Sequence, residues 1–262
     1  MEQALYVTSL GGLKAFPDGY SRLYFGAEFC EWRLPGPAGL KKALDFARSR
    51  GLKFTLVTPW VTDAGLKKVR ALLAVLAESG AHGAEAVVND YGALAAVREE
   101  FPGVSPALGR LLVRQKRCPR IPGMFDGMSE ACQEIYLHTG VEDPDTARFL
   151  RGWGIRRVEL DNPAQGVRAD LRAVRLKGSI YAPYAYVTTT RHCPASFDGA
   201  GWQAFTGCRI KGCLKTVLAL HSPAHGPAIL MRGNTQFVRN ETLPPGLATM
   251  GIDRVVTMAD VP

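Results

Sequence analysis

The chain reads as an α/β protein, a single-domain TIM-like (β/α) barrel that is irregular or incomplete in its C-terminal third. Three observations predict this. Short β-rich runs alternate with amphipathic helical runs, and strand–helix repetition implies parallel strands joined by right-handed crossovers. No G-x-G-x-x-G or P-loop follows any predicted strand, so the usual nucleotide-binding signatures of an open doubly wound sheet are missing. Polar and reactive residues gather just after the strands, and in a barrel those ends share one face. The length of 262 residues suits one such domain.

The elements follow in order. Residues 21–28 (SRLYFGAE) form a predicted strand, and 37–51 (PAGLKKALDFARSRG) a helix closed by glycine. KFTLVTP at 53–59 is a strand. Thr62 or Asp63 then caps a helix whose Leu66, Val69, Leu72, Leu73 and Leu76 make one apolar stripe. AEAVVND at 84–90 is a strand, YGALAAVREEF at 91–101 a helix, and 104–112 a weaker strand. Residues 113–133, rich in Pro, Gly and basic side chains, make a long basic loop, of the kind that is usually functional or mobile. A helix over 143–154 starts at a capping Asp and stops at Gly. Strands follow at 155–163 and 178–193, and strands with turns fill the last third. No linker divides the chain, so 1–262 is one domain with a cysteine-rich segment at 193–213.

A hydrophobic fraction of 47% with 21% charged residues excludes a disordered chain. No apolar run reaches the roughly 20 residues that span a bilayer, so membrane insertion is not expected. MEQALYVTSLGG lacks the basic start and apolar core of a secretory signal, which predicts a cytoplasmic protein. The net charge of +8 favours an anionic partner. Its local clusters are Arg110, Arg114, Lys116, Arg117 and Arg120, and Arg168, Arg172, Arg175 and Lys177. Solvated basic faces look the same in sequence.

Cys193, Cys208 and Cys213 lie in one glycine-rich stretch, and Cys30 stands far upstream where the run LYFGAEF meets charged residues. Four thiolates are what an iron–sulfur cluster or a structural zinc requires. Arg33, Arg191, His192, Arg209 and Lys211 lie within three residues of a candidate ligand and would offset thiolate charge. Gly199, Gly201, Gly207 and Gly212 permit a tight metal loop. The bland alternative is four buried small hydrophobes, which polar and glycine neighbours suit poorly. Cys118 and Cys132 have no comparable partners and are read as non-ligands.

The stretches LYFGAEFCEWR, AEAVVNDYGAL, TTTRHC with CRIKGC, and RGNTQFVRN resemble the collagenase-like peptidase family, peptidase family U-thirty-two. They are most similar to its short UbiV-like branch of anaerobic ubiquinone hydroxylation proteins. The resemblance runs from about residue 5 to residue 240, and the cysteine quartet is its most specific part. It implies a TIM-like barrel whose Cys30, Cys193, Cys208 and Cys213 hold a 4Fe–4S cluster. It implies oxygen-independent hydroxylation of a ubiquinone precursor, or of tRNA or rRNA, with prephenate as oxygen donor. It further implies a larger homologous sister chain, so that this protein is a hydroxylase, one subunit of a heterodimer, or a non-catalytic cluster-bearing partner. A peptidase comes last, since no Ser–His–Asp set or H-E-x-x-H is visible. The last cysteine pair is spaced one residue wider than in that branch, and the basic loop has no match there.

Three residues are candidates for shaping a substrate pocket. Arg33 and Arg191 would clamp a dicarboxylate such as prephenate through paired hydrogen bonds. Asn89 sits at a strand end where it would bond substrate. Its neighbour Asp90 reads equally well as a helix cap, and Asp161 and Asn162, before Pro163, as a turn.

Overall fold

The structure, a computed structural model, describes residues 1–191, 193–194, 208, 213, 216–224, 226 and 228–262. Along the chain run β1 (Glu2–Val7), α1 (Leu10–Leu13), β2 (Arg22–Gly26), α2 (Pro37–Ser49), β3 (Lys53–Val57), α3 (Asp63–Glu78), β4 (Glu85–Val88), α4 (Tyr91–Glu100) and β5 (Ser105–Leu108). Then come α5 (Glu130–Leu137), α6 (Pro144–Gly152), β6 (Arg157–Asp161), β7 (Lys177–Ala182) and β8 (Tyr184–Thr189). The chain ends with β9 (Leu218–Leu220), β10 (Ile229–Arg232), β11 (Thr235–Arg239) and β12 (Ile252–Met258).

Eight parallel strands close a barrel in the order β1-β12-β7-β6-β5-β4-β3-β2. The barrel is therefore complete. What looked incomplete in the last third is an antiparallel sheet, β8-β11-β10-β9, inserted between the seventh and eighth barrel strands. The predicted strand at 178–193 is two strands, β7 in the barrel and β8 in the inserted sheet, divided at Pro183, which has no N–H to donate to a ladder. Closure depends on β1, which the sequence pattern did not reveal. It pairs with β12 from Glu2↔Arg254 to Tyr6↔Met258.

Alternation along each strand sorts the side chains. On β2, Leu23 and Phe25 face outward and pack with Leu40 and Leu44 of α2 and Leu72, Leu73 and Leu76 of α3. Tyr24 faces inward, with Tyr6, Val57, Val87, Tyr181 and Val256. The apolar stripe of α3 is thus the reason it lies on the barrel, each buried leucine contributing about 1.5–3 kcal/mol. Caps set the helix starts. Thr62 Oγ1 accepts from the Gly65 amide, Asp90 from Gly92 and Ala93, and Asp143 from Thr146.

The floor of the barrel is ionic. Arg254 donates to Glu2 at 2.6 Å, to Glu85 at 2.7 Å and to the Tyr24 hydroxyl at 2.6 Å. Arg22 adds a bond to Glu2 at 3.2 Å. Burial works against the Glu2 carboxylate, but Arg254 and Arg22 outweigh it and hold its pKa at about 2. One layer up, Glu159 is fully buried and accepts from Ser179 and Tyr24. Burial pushes it up to about 6 against the pull of Arg254 and Arg157.

The basic loop ends sooner than its composition suggests, because Ser129 caps α5 at Glu130. His138, just after α5, sits between Glu142 (Nδ1 to Oε1, 2.8 Å) and Glu134 (Nε2 to Oε2, 2.9 Å), and Glu134 also pairs with Arg168. Ionised carboxylates only accept, so both contacts are satisfied when the ring is protonated and both nitrogens donate. Partial burial would lower its pKa, but the two glutamates win and raise it above 6.5. The resulting stabilisation is full below pH 6.5 and is lost as pH rises through the raised folded value. Half-exposed pairs of this kind contribute little, about 0.5 kcal/mol, so Tm should fall by roughly 1–2 °C over that rise. A Tm-versus-pH series on His138→Gln should lack this step; an identical step in the variant would assign it to another group.

Candidate functional site

The segments after β2, β3, β4, β5 and β6 meet at the C-terminal mouth of the barrel, and its centre is a charge cluster. Arg110, fully buried, donates to Glu28 at 3.0 and 2.5 Å, to Asp161 at 2.8 Å and to the Tyr184 carbonyl at 3.1 Å. Arg117 donates to the other Asp161 oxygen at 2.6 Å. The Arg110 guanidinium lies 4.0 Å from the centre of the Tyr181 ring, with Phe29 and Tyr186 also flanking it. Two carboxylates and two guanidiniums balance, which makes such burial tolerable. Burial alone would lower the Arg110 pKa, yet Glu28 and Asp161 hold it well above the ordinary value. Burial pushes the Glu28 carboxyl up, Arg110 pulling the other way.

This cluster seats the inserted sheet. The Tyr186 amide donates to Asp161 Oδ1 at 3.0 Å, and Tyr186 and Phe237 of the sheet pack on Phe29 and Val261. Sequence reading missed it. Arg110 and Arg117 belonged to a basic run that resembled a solvated face, and Asp161, read as a turn residue, stands at the centre of the cluster. The only signal was the position of Glu28, Arg110 and Asp161 at the ends of three barrel strands, β2, β5 and β6.

The cysteines lie at the edge of the same mouth. Cys30 follows β2 and opens a 3-10 turn, Glu31–Arg33. Glu31 accepts from the Thr62 amide at 2.9 Å, tying that turn to the start of α3. Burial pushes the Cys30 thiol up; the Trp32 and Arg33 amides donate to it, and Cys208 lies within electrostatic reach. Cys193 does not follow a barrel strand as expected. It comes after β8, and the inserted sheet carries it to the rim. Cys193 and Cys213 both lie beside Gly233, where an added Cβ would sit 3.9 Å from the Cys193 sulfur and 3.0 Å from the Cys213 sulfur. Gly233 (φ +58°) and Cys213 (φ +48°) are both left-handed.

Asn234 holds this corner together. Its Nδ2 donates to the Phe29 carbonyl at 2.7 Å and to the Thr190 carbonyl at 2.8 Å, joining the chain next to Cys30 to the chain leading to Cys193. Nothing in its sequence context marked it as a clamp. Arg232 lies near Arg33 and Cys213; its Nη1 donates to the Val261 carbonyl, and its buried Nε has no partner among the described residues. Burial and the Arg33 charge lower its pKa.

These features suit a thiolate-ligated anionic cluster: four thiols, a glycine where a side chain would intrude, and a buried donor without an acceptor among the described residues. The approach of the thiols is pairwise, however. Among the described residues no group of three His, Cys, Asp or Glu side chains is arranged to hold a metal ion. His192, Arg209, Lys211 and the glycines at 199, 201, 207 and 212 lie outside the described residues.

The substrate candidates separate. Arg33 stays beside Cys30, its amide bonding the Cys30 carbonyl at 3.1 Å. Arg191 is exposed, stacks 4.7 Å from the Trp60 ring centre and reaches the Val61 carbonyl at 3.4 Å. Asn89 is buried with both amide ends taken: Nδ2 donates to the Thr58 carbonyl and Oδ1 accepts from the Leu111 amide. That geometry makes it a bracket between loops. Asp90 is the α4 cap. Cys118 lies apart on the basic loop. Its slight burial would raise the thiol pKa, but the Arg120 guanidinium at 3.4 Å holds it down. Cys132 is exposed in the first turn of α5.

Among the described residues no helix is long and apolar enough to cross a membrane. No protein-family model matches the chain, and no curated protein matches it. Among solved structures it is similar to the U32 peptidase Mk0906, at 13% identity and a TM-score of 0.52, over 100% of this chain and 94% of that one. At that identity the likeness is one of fold: the chain shares with that peptidase a (β/α) barrel architecture along its whole length.

Proposed function

We propose that this chain is an iron–sulfur protein of the UbiV-like type, with Cys30, Cys193, Cys208 and Cys213 as ligands of a 4Fe–4S cluster. In this reading it supports oxygen-independent hydroxylation of a biosynthetic intermediate such as a ubiquinone precursor, together with a larger homologous sister chain. The observation that carries it is the position of Cys193 and Cys213 on either side of Gly233, with Cys208 within electrostatic reach of Cys30 at the same mouth. The buried Arg232 Nε, without an acceptor among the described residues, speaks for an acceptor-rich anion beside Cys213. When bound, the cluster would supply electron transfer. The chain's own residues would seat it: Asn234 fixes the two strands, the Trp32 and Arg33 amides point at Cys30, and Arg33 and Arg232 offset negative charge. Arg33 is also the residue best placed to bind an anionic substrate such as prephenate near the cluster, with Arg191 farther out on the rim.

The alternative, hydroxylation of RNA, loses support from the charge cluster. Two of the five basic residues between 110 and 120 are spent on buried carboxylates, so they are not offered to phosphates. Anaerobic purification with iron and acid-labile sulfide analysis tests the proposal. Brown protein carrying iron and sulfide, co-eluting with a homologous chain, is expected. Colourless protein without either would overturn it, and RNA retained with a steep salt dependence would restore the alternative.

A further inference from the structure

The opposite, N-terminal face of the barrel carries a cavity of about 500 Å³, within the range of small-molecule sites. Its floor is apolar, from Leu176, Ile252 and Ala248, and Arg172, Arg175 and Lys177 line it. The one carboxylate in the lining is Asp253. It is already engaged, with Arg157 at 2.7 Å and Lys177 at 3.4 Å. Among the described residues Arg172 and Arg175 have no acidic partner.

The walls are held by backbone bonds and so are preformed. The Leu171 amide donates to the Met250 carbonyl at 3.1 Å, the Gly178 amide to Gly251 at 2.9 Å and the Leu176 amide to Leu171 at 2.8 Å. Gly251, left-handed at φ +82°, lets the turn before β12 approach the Arg172 backbone; an added Cβ would lie 3.2 Å from the Arg172 nitrogen. Arg175 is itself left-handed at φ +56°, a conformation uncommon for a residue with a side chain.

We propose that this cavity binds a phosphate monoester carried on a compact apolar body. Arg172 and Arg175, without an acidic partner among the described residues, offer two positive charges, which matches a phosphate monoester at pH 7, with its charge close to −2. A carboxylate would leave half of that unanswered. Paired arginines fit phosphate oxygens in fork geometry, and the apolar floor takes the ester's body. Barrel enzymes keep their chemistry at the other end, so the bound molecule is a ligand, not the substrate. From the cavity, Asp253 leads through Arg157 and Glu85 to Arg254 on the barrel floor.

Calorimetric titration of the full chain with phenyl phosphate tests the site. Saturable one-to-one binding is expected, tighter than that of inorganic phosphate because the ring reaches the floor. Each arginine–phosphate contact is expected to matter by about tenfold, so Arg172→Gln with Arg175→Gln should weaken binding by roughly 100-fold. Arg148→Gln, on the exposed side of α6, should leave it unchanged. Vesicles containing phosphatidic acid form a second arm: capture that the double variant loses would support the same chemistry presented by a lipid. Absence of binding in both arms, or equal binding by the double variant, would overturn the proposal. So would equal affinity for phenyl phosphate and inorganic phosphate.

Discussion

Arg110→Met is expected to cost about 3–5 kcal/mol of stability, because it removes one partner from a buried ion cluster and leaves the others in place. At this chain length that is a fall in Tm of roughly 10 °C. The damage concentrates on Glu28. Asp161 keeps Arg117 at 2.6 Å, whereas Arg110 is the one ion-pair partner of Glu28 among the described residues. The double variant Glu28→Gln, Arg110→Met should therefore recover much of the loss, since no unpaired charge remains. Thermal melts of the two single variants and the double one close this cycle. Equal stability of Arg110→Met and the unaltered chain would mean that water reaches Glu28 and that the mouth is not sealed as the packing of Phe29, Tyr186 and Phe237 requires. The effect extends beyond stability: the same arginine bonds the Tyr184 carbonyl at the start of the inserted sheet, and that sheet carries Cys193 to the rim.

The contrast between what the sequence revealed and what it hid follows the range of the interactions. Helix starts at Thr62, Asp90 and Asp143 are local events, legible from a capping residue followed by an apolar period. Barrel closure through β1 and β12 joins the two ends of the chain, and no local pattern encodes that pairing. Glu28, Arg110 and Asp161 are unreadable for a related reason. A buried ion pair is visible only when both partners are placed, and singly each looks like a surface charge. The cysteines stand out because thiols have few uses in such spacing, but the route that brings Cys193 to the rim was not legible. Pro183 ends the barrel strand early, so Cys193 arrives by a second sheet. Asn234 clamps Phe29 to Thr190 across more than 200 residues of chain separation from Phe29, which only the fold brings together.

Cys213→Ala should abolish iron binding if the proposed ligand set is right, taking anaerobically isolated protein from about four iron and four sulfide per chain to near none. The fold should survive this change, because the barrel interior and its helical layer do not include Cys213. A Tm of the metal-free variant close to that of the metal-free parent checks this point. Gly233→Val is the sharper probe, since it leaves all four thiols intact. Its Cβ would sit 3.0 Å from the Cys213 sulfur, closer than ordinary contact, and φ at +58° disfavours any side chain there. Iron content in Gly233→Val should fall well below that of the parent, with the remaining thiols still titratable. If Cys213→Ala loses iron while Gly233→Val keeps it, the corner must open when metal binds, and the approach of Cys193 and Cys213 to Gly233 belongs to the metal-free state. If Cys213→Ala keeps its iron, Cys213 is not a ligand, and the spacing that set it apart from the related pattern becomes the reason.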